Sequence, residues 1–224
     1  MKKILLPIAA MLLTLRAFAF YTPFSAMSGS SDSHGYNVIG AGYYFLPLAS
    51  VNSQLGAEGF KSGFNHAIGV GLEGCGTSPI QNMNSTEVLY LSFHYLLPQE
   101  ITDATGLLKS KLNGYNAQFD IVGFNFVHSD NVILTAGLAW AFGRLKLTET
   151  DGSNTTTYIN KYFAPQLRAE FSVRLGSSFY MGVRASYRDD ITHTGWKKTG
   201  ALAPDLPGTR LSGTMAGVFI GIGH

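Results

Sequence analysis

Three short groups in the sequence gather side chains that nucleophilic or acid–base chemistry requires. Ser92-Phe93-His94 sets a hydroxyl and an imidazole two residues apart. In an extended segment both project from one face, as a lipid acyl hydrolase would need. Asp189, Asp190 and His193 combine carboxylates with an imidazole, the pairing that acid–base hydrolysis uses. Ser31-Asp32-Ser33-His34 adds a third such group, with no defined partner, and reads as a polar leader. None of the three matches a catalytic motif. Each has a plainer reading: a hydrogen-bonded pair for Ser92 and His94, and a solvated loop for Asp189, Asp190 and His193.

Other motifs weigh against cofactor chemistry. Gly69-Val70-Gly71-Leu72-Glu73-Gly74 fits G-x-G-x-x-G, but a dinucleotide site needs a helix immediately afterwards. CGTSPIQNMNST follows instead, so Gly69 and Gly71 are expected to make room for close packing, as are Gly40 and Gly42. The six histidines show no metal-binding spacing. No cofactor and no metal are expected. The single cysteine, Cys75, excludes an intramolecular disulfide and reads as a small wall residue. Asn84-Ser85-Thr86 and Asn154-Thr155-Thr156 match the glycosylation pattern only formally.

The strongest constellation is ionic. Arg168, Glu170, Arg174, Arg184 and Arg188 fall on one face of two adjoining segments, with Asp120 and Glu73 as partners from elsewhere. Charges buried without partners cost several kcal/mol, so a buried set must pair. A salt-bridged plug and an ion path both fit this pattern. The spacing sets Glu170 opposite Arg184.

Composition narrows the setting. Charged residues make up 13% of the 224 and aromatics 12%, against roughly 25% charged in typical soluble domains. This argues against a disordered chain and against an ordinary cytosolic enzyme. Residues 1–19, MKKILLPIAAMLLTLRAFA, have a basic start, an apolar run from Ile4 to Leu15 and an Ala17-Phe18-Ala19 cleavage site. They read as a secretory signal, too short to span a bilayer as a helix. Its removal takes three positive charges and no acids from a formal net of +2, leaving −1. No basic patch for nucleic acid survives. The expected organisation is a signal over 1–19, a periplasmic segment over 20–35 and a barrel over 36–224.

Beyond the signal no run suits a membrane helix. Eight segments alternate apolar and polar residues with period two: Tyr36–Leu46, Asn65–Glu73, Glu87–Leu97, Tyr115–Val127, Asn131–Leu147, Lys161–Leu175, Phe179–Arg188 and Arg210–Gly223. The only helical hint is a turn within Thr102–Leu112. Gly176-Ser177-Ser178 predicts a connection that pairs Leu175 with Phe179, Val173 with Met181 and Phe171 with Val183, since a one-residue slip would mix the faces. A turn at His128-Ser129-Asp130 predicts Phe126 opposite Val132, Phe124 opposite Leu134 and Val122 opposite Ala136. The apolar parity then switches to Ile121, Phe119, Ala117 and Tyr115, which predicts a β-bulge near Asp120–Val122. Pro165 is expected at a bulge or a strand start.

Alternation alone does not say which face meets water. Charge is sparse and concentrates between segments. The polar face mixes arginine with Gly, Ser and Ala, as a narrow lumen requires. Aromatics gather at segment ends, including Tyr43, Tyr44, Phe124, Phe126, Trp140, Phe142, Tyr162, Phe163 and Tyr187, as in the interfacial girdles of membrane barrels. The connections 49–64, 98–113, 148–160 and 189–209 read as long; 128–130 and 176–178 read as short; 74–86 breaks the alternation. Together these predict an all-β, antiparallel, up-and-down transmembrane β-barrel of about eight strands, apolar outside, with its first and last strands paired.

In this pattern the chain resembles the small eight-stranded outer-membrane barrels, the OmpX-like and OmpA-transmembrane-like porin families, over roughly residues 36–224. The terminal GTMAGVFIGIGH is similar to a barrel's last strand, although members commonly end in Phe where this chain has His224, with Phe219 nearest. The resemblance implies a bacterial outer-membrane address and assembly by the barrel-assembly machinery. It also implies contact with outer-membrane lipid and a structural or loop-mediated role. Lys109, Lys111, Trp196, Lys197 and Lys198 are positioned to contact lipopolysaccharide or an external partner. Three other functions fit the same chain: a lipid-modifying hydrolase using Ser92 and His94, a narrow pore for ions or small solutes, and a soluble periplasmic ligand-binding barrel.

Overall fold

The computed structural model describes residues 35–79, 86–127, 129, 131–152, 154–176, 179–192, 195–200 and 204–223. The signal over 1–19, the group Ser31–His34, His128, Asp130, His193 and His224 lie outside the described residues. Among the described residues nine strands form one antiparallel sheet: β1 (Gly35–Phe45), β2 (His66–Pro79), β3 (Thr86–Thr102), β4 (Leu108–Asn125), β5 (Val132–Asp151), β6 (Asn154–Leu175), β7 (Phe179–Arg188), β8 (Lys197–Thr199) and β9 (Gly213–Gly223). Each long strand pairs with its sequence neighbour. β9 pairs with both β7 and β1, and β5 with β6, so eight strands close into a barrel. The short β8 adds to β6 outside that ring. No backbone edge is left along the wall, which a barrel in lipid requires.

The alternation sorts side chains as the composition predicts. Phe171, Met181 and Val183 are about half exposed on the outer face, while Arg168, Glu170 and Arg184 are buried within. A soluble barrel would show the reverse. The β6–β7 register is Leu175 to Phe179, Val173 to Met181, Phe171 to Val183 and Glu170 to Arg184. The β4–β5 ladder shifts between Asp120 and Val122. Ile121 is the extra residue, and the bulge lets Phe119, Ile121, Val122 and Phe124 all face outward while Asp120 stays inside.

Four details depart from the sequence reading. The β4–β5 pairing is offset by two residues: Phe124 faces Ala136 and Val122 faces Leu138. An even offset leaves every side chain on its face, so parity could not detect it. Pro165 sits inside β6, opposite Trp140, at neither a bulge nor a strand start. Its carbonyl accepts from Asp189 N at 3.1 Å, just past the end of β7, so its missing N–H falls where that ladder has stopped. The segments 98–113 and 148–160 are not long loops: β3 and β4 run on to a turn containing Gly106, and β5 and β6 to one containing Gly152, both with positive φ. Thr102–Leu112 is therefore a β-hairpin. The one helix among the described residues, α1 (Ala49–Ala57), lies in the β1–β2 connection instead.

Helix α1 closes one end of the barrel. Leu48, Val51 and Leu55, spaced i, i+3, i+7, are buried with Tyr44, Phe60, Phe64, Leu145, Leu147, Leu206 and Leu211. Asn52 holds the returning chain through both its amide atoms: Oδ1 accepts from Phe64 N at 2.8 Å, and Nδ2 donates to Phe64 O at 3.2 Å. At the other end Val38, Tyr90, Ile133, Tyr180 and Phe219 form a smaller apolar layer. The interior is thus stacked as an apolar cap, an ionic layer and an apolar floor.

Candidate functional site

The ionic layer is assembled by register. β6 projects Arg168 and Glu170 inward, β7 Arg184 and Arg188, β4 Asn116, Gln118 and Asp120, β3 His94, and β2 Glu73. Each is at most 4% exposed. Arg184 donates from Nε and Nη2 to one Glu170 oxygen at 3.0 and 2.8 Å, and from Nη1 to Glu73. Arg168 reaches Asp120 at 2.5 Å and Glu170 at 3.3 Å. The Tyr90 ring lies between the two guanidiniums, 4.3 Å from that of Arg168 and 4.4 Å from that of Arg184, where its π face meets positive charge. Every arginine here has anionic or polar partners. That satisfies the condition under which buried charge is tolerated.

Arg188 is held by neutral oxygens. Its Nε donates to Leu211 O at 2.9 Å, and its Nη1 to Tyr162 Oη at 2.9 Å and to Asn116 Oδ1 at 3.3 Å. It thereby fastens the returning β7–β9 connection to the barrel. Arg174 stands apart from the layer. It is only partly buried, opposite Tyr180 near the β6–β7 turn, with its guanidinium 5.9 Å from the Tyr180 ring.

Both nitrogens of His94 are occupied. Nε2 lies 2.5 Å from Glu73 Oε1 and Nδ1 lies 2.6 Å from Tyr44 Oη. A carboxylate held by Arg184 accepts, so Nε2 donates to it, and Nδ1 is taken up by the Tyr44 hydroxyl. No lone pair is left to activate Ser92, which is buried opposite Glu73 and Gln118 in the ladders. Tyr44 is therefore a lumen residue, not part of a girdle, and buried Tyr162 joins it inside. The glycine-rich run lies wholly within β2. A Cβ at Gly69 would come 2.6 Å from the Tyr44 ring, one at Gly71 would strike Phe93 O, and one at Gly40 the Glu73 carboxylate. These glycines give the network room.

Asp190 is buried but works locally. Its carboxylate accepts from Leu211 N at 3.0 Å and from Thr192 N at 2.9 Å, ordering the β7–β9 connection. Asp189 accepts from Ser212 Oγ at 2.7 Å. Among the described residues no group of three or more His, Cys, Asp or Glu side chains could hold a metal ion.

One carboxyl beyond the ionic layer stands out. Glu149, near the tip of the β5–β6 hairpin, lines a cavity of about 250 Å³ with Glu58, Phe60, Leu108 and Pro204. Burial, helped by the nearby Glu58 charge, pushes it up to about 7 from 4.5, against a weaker opposing hydrogen bond from Tyr158. A carboxyl raised in the folded state favours folding least once ionised, so stability should fall as pH rises from about 4.5 to about 7. Glu149→Gln is expected to melt above the parent protein at pH 8, and with it at pH 4. Thermal scans in detergent across this range check the expectation. A difference independent of pH would contradict it.

No family model matches the chain, and no curated relative does. Among solved structures it is similar to Ail, the attachment invasion locus protein of Yersinia pestis, at 10% identity and a TM-score of 0.46, covering 86% of this chain and 97% of that one. It is also similar to Neisserial surface protein A, at 11% and 0.40 with coverages of 86% and 98%. A third is the N-terminal β-barrel domain of Pseudomonas aeruginosa OprF, at 11% and 0.36 with the same coverages. All three are small eight-stranded outer-membrane barrels.

Proposed function

We propose that this chain is an integral protein of a bacterial outer membrane, a plugged and non-enzymatic barrel that presents its longer hairpins and loops to the outside. One observation carries the reading: an apolar outer wall encloses a charge-paired interior. Such a molecule is unfavourable in water and favourable in lipid, where a closed barrel satisfies every wall amide. The end that carries the β2–β3, β4–β5 and β6–β7 connections faces the periplasm. The side with α1, the β3–β4 and β5–β6 hairpins and the β7–β9 connection faces outward, where exposed loops bind partners on a rigid support. Residues 1–19 serve as the export signal, and the barrel-assembly machinery inserts the chain.

The test is migration in gels after detergent extraction of outer membranes. The folded barrel should run faster than the boiled chain. A heat-independent band from a water-soluble protein would overturn the reading. The packed interior also bears on transport. Apolar layers above and below the ion pairs leave ions no hydrated route, so purified protein in planar bilayers should give no resolved current steps. Reproducible unitary currents would contradict the plug.

A further inference from the structure

We infer that the cavity between the end of α1 and the inner face of the β4–β5–β6 hairpins binds a small primary amine on an apolar body, with Glu149 as the ammonium's partner. The inference concerns the loop end of the barrel and goes beyond the function proposed above. The cavity holds about 250 Å³, and a cavity of about 150 Å³ is enough for a benzene ring. Phe60, Leu108 and Pro204 give it apolar walls, brought together from the α1–β2 segment, β4 and the β7–β9 connection. Asp151 and Asn154, a cross-strand pair at the β5–β6 hairpin tip, are exposed and stand at its mouth. Lys109 and Thr150 also border it, but they alternate to the opposite face of the sheet.

What the cavity presents is negative charge and acceptors in need of donors. Glu58 caps the C-terminal end of α1, where the helix dipole is also negative. It lines the cavity together with Glu149. Glu149 Oε1 is buried and has no hydrogen-bond partner among the described residues. Ser110, its direct cross-strand neighbour, is fully buried, and its Oγ has none either. The other titratable groups around Glu149 and Tyr158 are Asp151 on β5 and Asp205 in the β7–β9 connection, 3.5 Å from Lys198. A primary ammonium carries three donors and no acceptor. It supplies the donor that Glu149 lacks and the countercharge that two neighbouring carboxylates need. A neutral ligand leaves those carboxylates repelling each other, and an anion adds to the repulsion.

The test uses the full mature chain folded in detergent micelles. It is titrated calorimetrically with benzylamine and with its neutral isostere benzyl alcohol, and protein-free micelles give the blank. Benzylamine should saturate a single site at pH 8. Benzyl alcohol should bind at least about tenfold more weakly, the loss of a charge-assisted hydrogen bond. Glu149→Gln should weaken the amine to the same degree, and Leu108→Trp, which fills the cavity, should abolish its binding. With its carboxyl at about 7, Glu149 is about one-tenth ionised at pH 6 and about nine-tenths at pH 8. Affinity for the amine should therefore rise up to about ninefold between them in the parent, and not in Glu149→Gln. Heat-modifiable migration shows that each variant is folded. Amine and alcohol that bind alike reduce the cavity to an apolar pocket and overturn the inference. So does an unchanged affinity in Glu149→Gln, or a parent with no saturable binding. All three outcomes leave the membrane reading standing, because migration and extraction test it separately.

Discussion

Arg184→Met is expected to cost about 3–5 kcal/mol, the effect of breaking a buried ion pair by removing one partner. Arg184 bridges two carboxylates from opposite parts of the barrel, Glu170 on β6 and Glu73 on β2, and its guanidinium also faces the Tyr90 and Phe219 rings. Without it Glu73 keeps His94, and Glu170 keeps Arg168 at 3.3 Å. The loss comes mainly from stranded charge, so combining Arg184→Met with Glu73→Gln and Glu170→Gln should recover much of it. Urea titration of the barrel in lipid vesicles checks both statements. The Arg184–Glu170 pair should also show strong coupling in a double-mutant cycle. Purely additive single effects would refute a paired lumen.

The second large effect falls on the opposite face. Val183 is 54% exposed and sits in an outward row with Leu134, Phe171 and Val218. On a water-facing surface, Val183→Arg would change stability by no more than about 0.5 kcal/mol. In lipid near the bilayer midplane it should cost about 2–4 kcal/mol, while Val183→Leu stays near neutral. The contrast is read from unfolding free energies in vesicles. An arginine tolerated at this position would mean that the wall meets water.

These two positions also mark how far the sequence could be read. Arg184 and Val183 are neighbours with opposite environments, and period-two alternation assigned both. It likewise gave the β6–β7 register and the bulge at Ile121, because each is a matter of parity. What alternation could not supply was anything parity leaves unchanged or anything nonlocal. The two-residue offset of β4 on β5 keeps every face, so no pattern exposed it. The polar run from Thr148 to Tyr158 looked like loop, yet its threonines are β-branched and its Asp151-Gly152 step is a hairpin signal. Helix α1 was hidden among Ser, Asn and Gly; only Leu48, Val51 and Leu55 at helical spacing could have revealed it. The relay from Tyr44 through His94 and Glu73 to Arg184 joins four strands. No local spacing encodes it, and Tyr44 differs from outward Tyr43 by a single step of the pleat.

The barrel's polarity is tested most directly by fluorescence from its outer wall. With Trp140→Phe and Trp196→Phe removing the native indoles, Phe171→Trp places a single reporter among Leu134, Val183 and the other wall residues. In vesicles of lipid brominated midway along the acyl chain, its emission should be blue-shifted and strongly quenched, because the indole lies in hydrocarbon. Emission indifferent to bromine would place Phe171 away from lipid and contradict the inverted barrel.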